Sequence, residues 1–269
     1  MDGVIMDYLR DLRRANLSRA TVVRRRSCIF TLRRWIEPRC LSVATADDID
    51  RMLDERQVSP RTRYHWISHL HCFFEWAVAR GHVPADPTAT MIRPRLPKLL
   101  PRPIADADLE MALLCAQPTM RAWLCLAAFG GLRCAEIAGL DAADILPAVG
   151  LIRVYGKGDK ERMVPLHEHV VCSLRGAGVA KHGPLWTPAV SPGRLSKLGN
   201  EYLDGLGIEA TMHSLRHWFG TKLYASSGDL RLTQELMGHA SPTTTAQYVA
   251  WHRPAAADAV ARIELPSHP

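Results

Sequence analysis

Apolar residues recur at helical spacing through most of the chain, and the first 90 residues read as helices throughout. Val4, Ile5, Tyr8, Leu9 and Leu12 form one stripe, the 3.6-residue period of an amphipathic helix. Ser18 stands where it can cap a second helix carrying Val22, Ile29, Leu32 and Ile36, because its hydroxyl can accept an orphan backbone N–H. Thr45 followed by Asp48 has the spacing of a capping box and opens a third helix. Ser59 with Pro60 opens a fourth, which runs to Arg80 before Gly81 stops it. Short connections between four such helices predict a four-helix bundle over residues 1–92.

The segment Arg93 to Pro103 (RPRLPKLLPRP) has prolines and basic residues but no acidic ones. That composition predicts an extended connector over 93–103 and a second domain over 104–269. In this second part Asp106 is expected to cap a helix, Met120 to Phe129 to form a strongly apolar one, and Gly130-Gly131 to break the chain before a helix over Arg133 to Leu140. Two strand-like runs, LIRVY and RMVPL, flank GKGDKE and predict a hairpin. The pattern is helical again over His213 to Tyr224, Leu230 to Met237 with Gly238 as a stop, Pro242 to Trp251 and Pro254 to Ile263. The expected fold class is therefore mostly α: an N-terminal helical domain, then a mixed, mainly helical domain with a small β-hairpin or sheet.

Composition narrows the class. The chain has 269 residues, 47% of them apolar and 23% charged, which suits well-formed cores and excludes overall disorder. The apolar run from Ala122 to Leu132 falls well short of the roughly 20 residues a membrane span needs, so no membrane partner is expected. The reading is a cytoplasmic protein. Seven scattered cysteines without a CxxC pair read as reduced, mostly buried thiols. His65, His69 and His71 lie on or near one face of a helix, but the reading there is not a metal site, and neither a metal nor a cofactor is expected.

The net charge of +7 is unevenly placed. Residues 1–98 carry 18 Lys+Arg against 11 Asp+Glu, while residues 99–269 carry 16 against 16. Arginine, whose planar fork suits phosphates and guanine edges, dominates the basic residues. The N-terminal part thus reads as a nucleic-acid surface, with Arg24, Arg25, Arg61, Arg63, Arg95 and Lys98 as candidate contacts.

Candidate chemistry lies in the second part. His213 and Arg216 are spaced to share a helical face, a second histidine follows at His239, and Tyr248 comes nine residues later. Taken singly, each has an ordinary structural reading.

Four motifs change that picture: GLRCAEIAGL (131–140), YGKGDKERMVPL (155–166), HSLRHWFGT (213–221) and LMGHASPTTTAQY (236–248). Their order resembles that of the phage-integrase family of tyrosine recombinases, and SPRTRYHWISHLHCFFEWAVARGHVPADP is similar to the end of that family's core-binding domain. The resemblance implies catalytic roles for Arg133, Lys157, His213, Arg216 and His239, with Tyr248 as nucleophile and Glu136 as the supporting acid. Lys160 is the weaker candidate for the lysine, and His217 is left as a packing neighbour. Tyr224 and Tyr202 are the next nucleophile candidates.

The implied chemistry is cleavage and rejoining of DNA strands through a 3′-phosphotyrosine, which stores bond energy without ATP. It also implies double-stranded DNA attachment or recombination sites as substrate and a homotetramer on synapsed DNA. A further partner, a directionality or host accessory protein, is compatible with it. Because helical sequence of the core-binding type begins near Met1, the expected form is a short two-domain phage integrase without an arm-binding module, integrating or excising phage or mobile DNA. The alternatives are a Xer-type recombinase resolving chromosome or plasmid dimers and, in a different class, a sequence-specific DNA-binding protein that does not cleave.

Overall fold

The computed structural model describes residues 2–97, 101–156 and 161–238. It divides into two compact units, Met1–Lys98 and Leu99–Pro269. The first is all helical: α1 (Asp2–Arg14), α2 (Arg19–Trp35), α3 (Ala46–Glu55) and α4 (Pro60–Ala79). The expected caps are present. Ser18 accepts from the Thr21 N–H, Ser59 from that of Thr62, and Thr45 with Asp48 completes a capping box. The apolar stripes meet in a core of Ile5, Tyr8, Ile29, Leu32, Ile49, Met52 and Phe73, where Tyr8 and Phe73 pack edge to face with centroids 5.3 Å apart.

The second unit contains α5 (Asp106–Cys115), α6 (Pro118–Ala128), α7 (Cys134–Ala138), β1 (Ile145–Leu146), β2 (Leu151–Tyr155), β3 (Glu161–Pro165), α8 (Glu168–Gly176), α9 (Pro192–Gly205), α10 (Met212–Ser227) and α11 (Leu230–Met237). Every residue from Ala122 to Ala128 is buried, so α6 is the apolar centre on which α8 and α10 pack. The mostly helical class with a small sheet is as expected, but the sheet has three antiparallel strands in the order β1-β2-β3 instead of two. In the β2–β3 register Ile152 faces Val164 and Val154 faces Arg162.

Several local expectations shift. Ala105, not Asp106, occupies the cap position of α5. The Asp106 carboxylate instead accepts from Trp218 Nε1 at 2.6 Å and Lys222 Nζ at 2.7 Å, contacts that only tertiary packing offers. The helix expected over Arg133 to Leu140 shortens to α7, because Arg133 stays extended at its N-cap and Gly139 ends it. Pro118 starts α6 two residues early, as a proline in the first turn can. The expected helices over Pro242 to Trp251 and Pro254 to Ile263 lie outside the described residues.

Candidate active site

The site is organised by α7, β3, α10 and the C-terminus of α11. Glu136 stands three residues into α7, and its Oε2 accepts the Arg133 backbone N–H at 2.7 Å, half of a capping box. Its Oε1 accepts from Arg133 Nη1 at 2.7 Å. Arg162 of β3 grips both oxygens, Nη1 to Oε1 at 2.9 Å and Nη2 to Oε2 at 2.8 Å, the bidentate geometry that makes Arg–carboxylate pairs strong. Arg216 of α10 adds a third positive charge 3.7 Å from Oε2. Glu136 is only 8% exposed. Burial alone would raise its pKa, but Arg162, by hydrogen bond and charge, and then Arg133 hold it down to about 2.

Arg216 is buried outright, with 1% of its surface exposed. Its Nη1 donates to the Gly131 carbonyl and its Nη2 to the Met237 carbonyl. The glycine pair that breaks the chain after α6 makes the first of these contacts possible. Gly131 has φ +62, and a Cβ there would lie 2.3 Å from the Phe219 ring of α10, so the turn seats directly on that helix.

Thr211 caps α10 in a capping box with Ser214, which places His213 in the first turn and Arg216 one turn on. His213 keeps an exposed face, yet the protein packed around its ring, followed by Arg216 and Arg133, lowers its pKa. The His217 ring lies 4.3 Å from that of His213, centroid to centroid. Its own pKa falls to about 4 through burial, His213 and Arg216. Both imidazoles are therefore neutral at neutral pH.

The structure thus brings together Arg133, Glu136, Arg216 and His213 of the expected set; Lys157, His239 and Tyr248 lie outside the described residues. It adds Arg162, which lies within the YGKGDKERMVPL motif but outside the expected set. The available signal was strand period: Arg162 is in phase with the buried Val164, an inward position where an unpaired arginine would be costly. Tyr202, a reserve candidate for nucleophile, donates its hydroxyl to the Ala112 carbonyl at 2.7 Å and is thereby committed to the packing of α9 on α5. Among the described residues no group of three or more His, Cys, Asp or Glu is placed to hold a metal ion, and no helix is long and apolar enough to cross a membrane.

In the N-terminal unit the candidate DNA contacts divide. Arg24, Arg61 and Arg95 are exposed. Arg63 is held by Asp50 at 2.7 Å and Asp54 at 2.6 Å, which offsets its charge within the unit. Arg25 turns inward, donating to Tyr8 Oη at 2.9 Å and Cys72 Sγ at 3.3 Å. Lys98 lies outside the described residues. His71 bonds Asp86 at 2.6 Å and Thr88 at 3.1 Å through Nδ1 and so pins the loop after α4, while the rings of His65 and His69 stack.

Comparison with known proteins adds independent information. The model of the phage integrase family matches residues 187–253. A tyrosine recombinase XerC of Xylella fastidiosa (strain 9a5c) is 35% identical over 213 residues, 72% of this chain and 71% of that one. Among solved structures, a lambda integrase dimer bound to a COC′ core site superposes with a TM-score of 0.73 at 21% identity, covering 92% of this chain and 76% of that one. A lambda integrase tetramer bound to a Holliday junction gives 0.72 at 20% identity, covering 90% and 78%. At these identities the two structures speak for the fold.

Proposed function

The chain belongs to the phage integrase family of tyrosine recombinases, and from that premise we propose that it cuts and rejoins DNA at specific sites through a 3′-phosphotyrosine on Tyr248. The observation that carries the reading is the convergence of Arg133 and Arg216 on the buried Glu136, with His213 one turn away on α10. The phenolic oxygen of Tyr248 attacks the phosphorus, the bond to the 5′ oxygen breaks, and negative charge builds on the nonbridging oxygens. Arg133 and Arg216 supply fixed positive charge there, and His239 a further donor. A phenol is protonated at neutral pH, so its proton must go to a base; the lowered pKa of His213 keeps that imidazole neutral and able to accept it. Lys157 then returns a proton to the departing 5′ oxygen.

Strand exchange needs four cleavages, so four protomers are expected on two synapsed sites. The exposed arginines Arg24, Arg61 and Arg95 are the proposed phosphate contacts of the N-terminal unit. The preferred role is integration and excision of phage or mobile DNA. The 35% identity to XerC favours a second reading, resolution of chromosome or plasmid dimers.

The test is covalent trapping on a nicked duplex carrying the repeats that flank the coding region, in excess EDTA. Wild type should form a protein–DNA adduct and Tyr248→Phe none, with binding retained; an adduct of normal yield in the Phe variant overturns the assignment. Two repeats in direct orientation on one plasmid, against two unlike sites on separate molecules, then separate resolution from integration.

A further inference from the structure

The carbonyls of Leu236, Met237 and Gly238, three in succession at the end of α11, are taken by three different arginines. Arg162 Nε donates to Leu236 at 2.9 Å, Arg216 Nη2 to Met237, and Arg133 Nη2 to Gly238 at 3.0 Å. Carbonyls at a helix C-terminus have no intrahelical partner and carry the negative end of its dipole, so cations are favoured there. The same three arginines surround Glu136.

Arg162 differs from the other two. Its three nitrogens all point inward, Nε to Leu236 and both Nη atoms to Glu136, and its side chain is 11% exposed. It is therefore directed away from any substrate. Gly238, left-handed at φ +59, lies so close that a Cβ there would meet Arg162 Nη1 at 2.9 Å. The turn that leads to His239 thus rests on this guanidinium.

Charge gives the arrangement its purpose. Three guanidiniums against one carboxylate leave two net positive charges, and a phosphate in its transition state needs both. Without Arg162, the carboxylate would be satisfied only by Arg133 and Arg216, and half of that excess would go.

We propose that Arg162 is a positioning residue of the recombination site: it neutralises Glu136, so that Arg133 and Arg216 keep their charge for the scissile phosphate, and it ties the end of α11 to them. This rests on the function proposed above. The groups facing Glu136 are Arg133 of its own helix, Arg162 of β3 and Arg216 of α10, with the α11 carbonyls behind them.

The experiment compares Arg162→Gln, Arg162→Lys and the double variant Arg162→Gln/Glu136→Gln in single-turnover adduct formation at saturating enzyme. Arg162→Gln should bind DNA with near wild-type affinity but cleave about 10- to 100-fold more slowly, the order of one lost electrostatic contribution. Arg162→Lys keeps the charge but loses the bidentate grip on Glu136 and the Leu236 contact, so it should cleave at a rate between those of Arg162→Gln and wild type. The double variant restores two net charges and should cleave faster than Arg162→Gln, a rescue that independent structural damage would not give. Acid unfolding gives a readout apart from catalysis. A carboxylate held at a low pKa stabilises the fold above its unfolded value and loses that contribution as pH falls through the folded one. Removing Arg162 should therefore move the acid midpoint upward, and Glu136→Gln should cancel the shift.

A double variant slower than Arg162→Gln, or a lysine variant as slow as the glutamine one, overturns the proposal. If Arg162→Gln fails to fold, Arg162→Lys is compared with wild type directly, and a loss of about 100-fold, the full effect expected of the missing charge, overturns the proposal. A wild type that forms no adduct overturns the function proposed above, and the acid midpoints then still test the link between Arg162 and Glu136.

Discussion

In the first unit Arg39 meets Asp48, Arg80 meets Asp11, and Arg63 meets two aspartates, whereas in the second unit three arginines close on Glu136 alone. The contrast runs opposite to the bulk charge. The excess of basic residues lies in the N-terminal part and the remainder is balanced, yet the concentrated positive field sits in the balanced part. Net charge reports what a domain attracts at long range. Where a reaction is stabilised depends on how many cations share one counter-charge in a place shielded from water.

The largest separation between the units should come from deleting one arginine in each. Arg216→Ala should slow adduct formation by about 10² or more, and it should also destabilise the unit, since it leaves the Gly131 and Met237 carbonyls without their buried donor and removes one of the three positive charges around Glu136. Arg61→Ala should instead weaken binding modestly and lower the salt slope of affinity by about one, with the rate of the bound complex unchanged. Anisotropy across a salt series beside single-turnover cleavage reads both. An Arg61→Ala enzyme that binds normally but cleaves slowly would erase the division of labour.

Acid stability should differ next. Asp48 and Glu136 both have pKa values near 2, Asp48 chiefly through its hydrogen bonds from Arg39, Glu136 despite its burial. Both contributions are present above the unfolded carboxyl pKa, near 4, and are lost as pH falls toward 2. Asp48→Asn and Glu136→Gln should each flatten part of this loss in urea titrations at pH 7 and pH 3. Glu136→Gln should also cost more at pH 7, because three arginines then face no counter-charge.

The smallest effect concerns two left-handed glycines. At Gly81, φ +71, an added Cβ meets nothing within 4 Å, while at Gly238, φ +59, it meets Arg162. Gly81→Ala should cost about 1 kcal/mol from backbone strain alone. Gly238→Ala should cost more and slow cleavage as well. Equal costs with normal cleavage would mean that the contact at Gly238 has no effect on the site.

How much was legible beforehand follows from the range of each force. The helices α1 to α4, their caps at Ser18, Thr45 and Ser59, and the stop of α11 at Gly238 depend on residues within a turn of one another, and the pattern specified them. The pattern between Leu166 and Met212 predicts no element, although α8 and α9 lie there. In α8 only Val170, Ser173 and Leu174 are buried, and in α9 only Leu195, Gly199 and Leu203, stripes too thin to stand out. β1, two residues long, has no periodicity to read.

Helical class, family and the residue types of the site can be read along the chain, because motifs and amphipathic periods are written in neighbouring positions. Which charges meet is set by the folded chain. Arg162 is 26 residues from Glu136, and Arg133 is 105 from the Gly238 carbonyl it holds; no local rule joins such pairs. Arg25 and Arg24 are adjacent, yet one bonds Tyr8 inside the bundle and the other faces solvent. The physical reason is that a guanidinium's role depends on its partners and on the water around it. Both are properties of a packed surface, and they come into being only when distant segments close on one another.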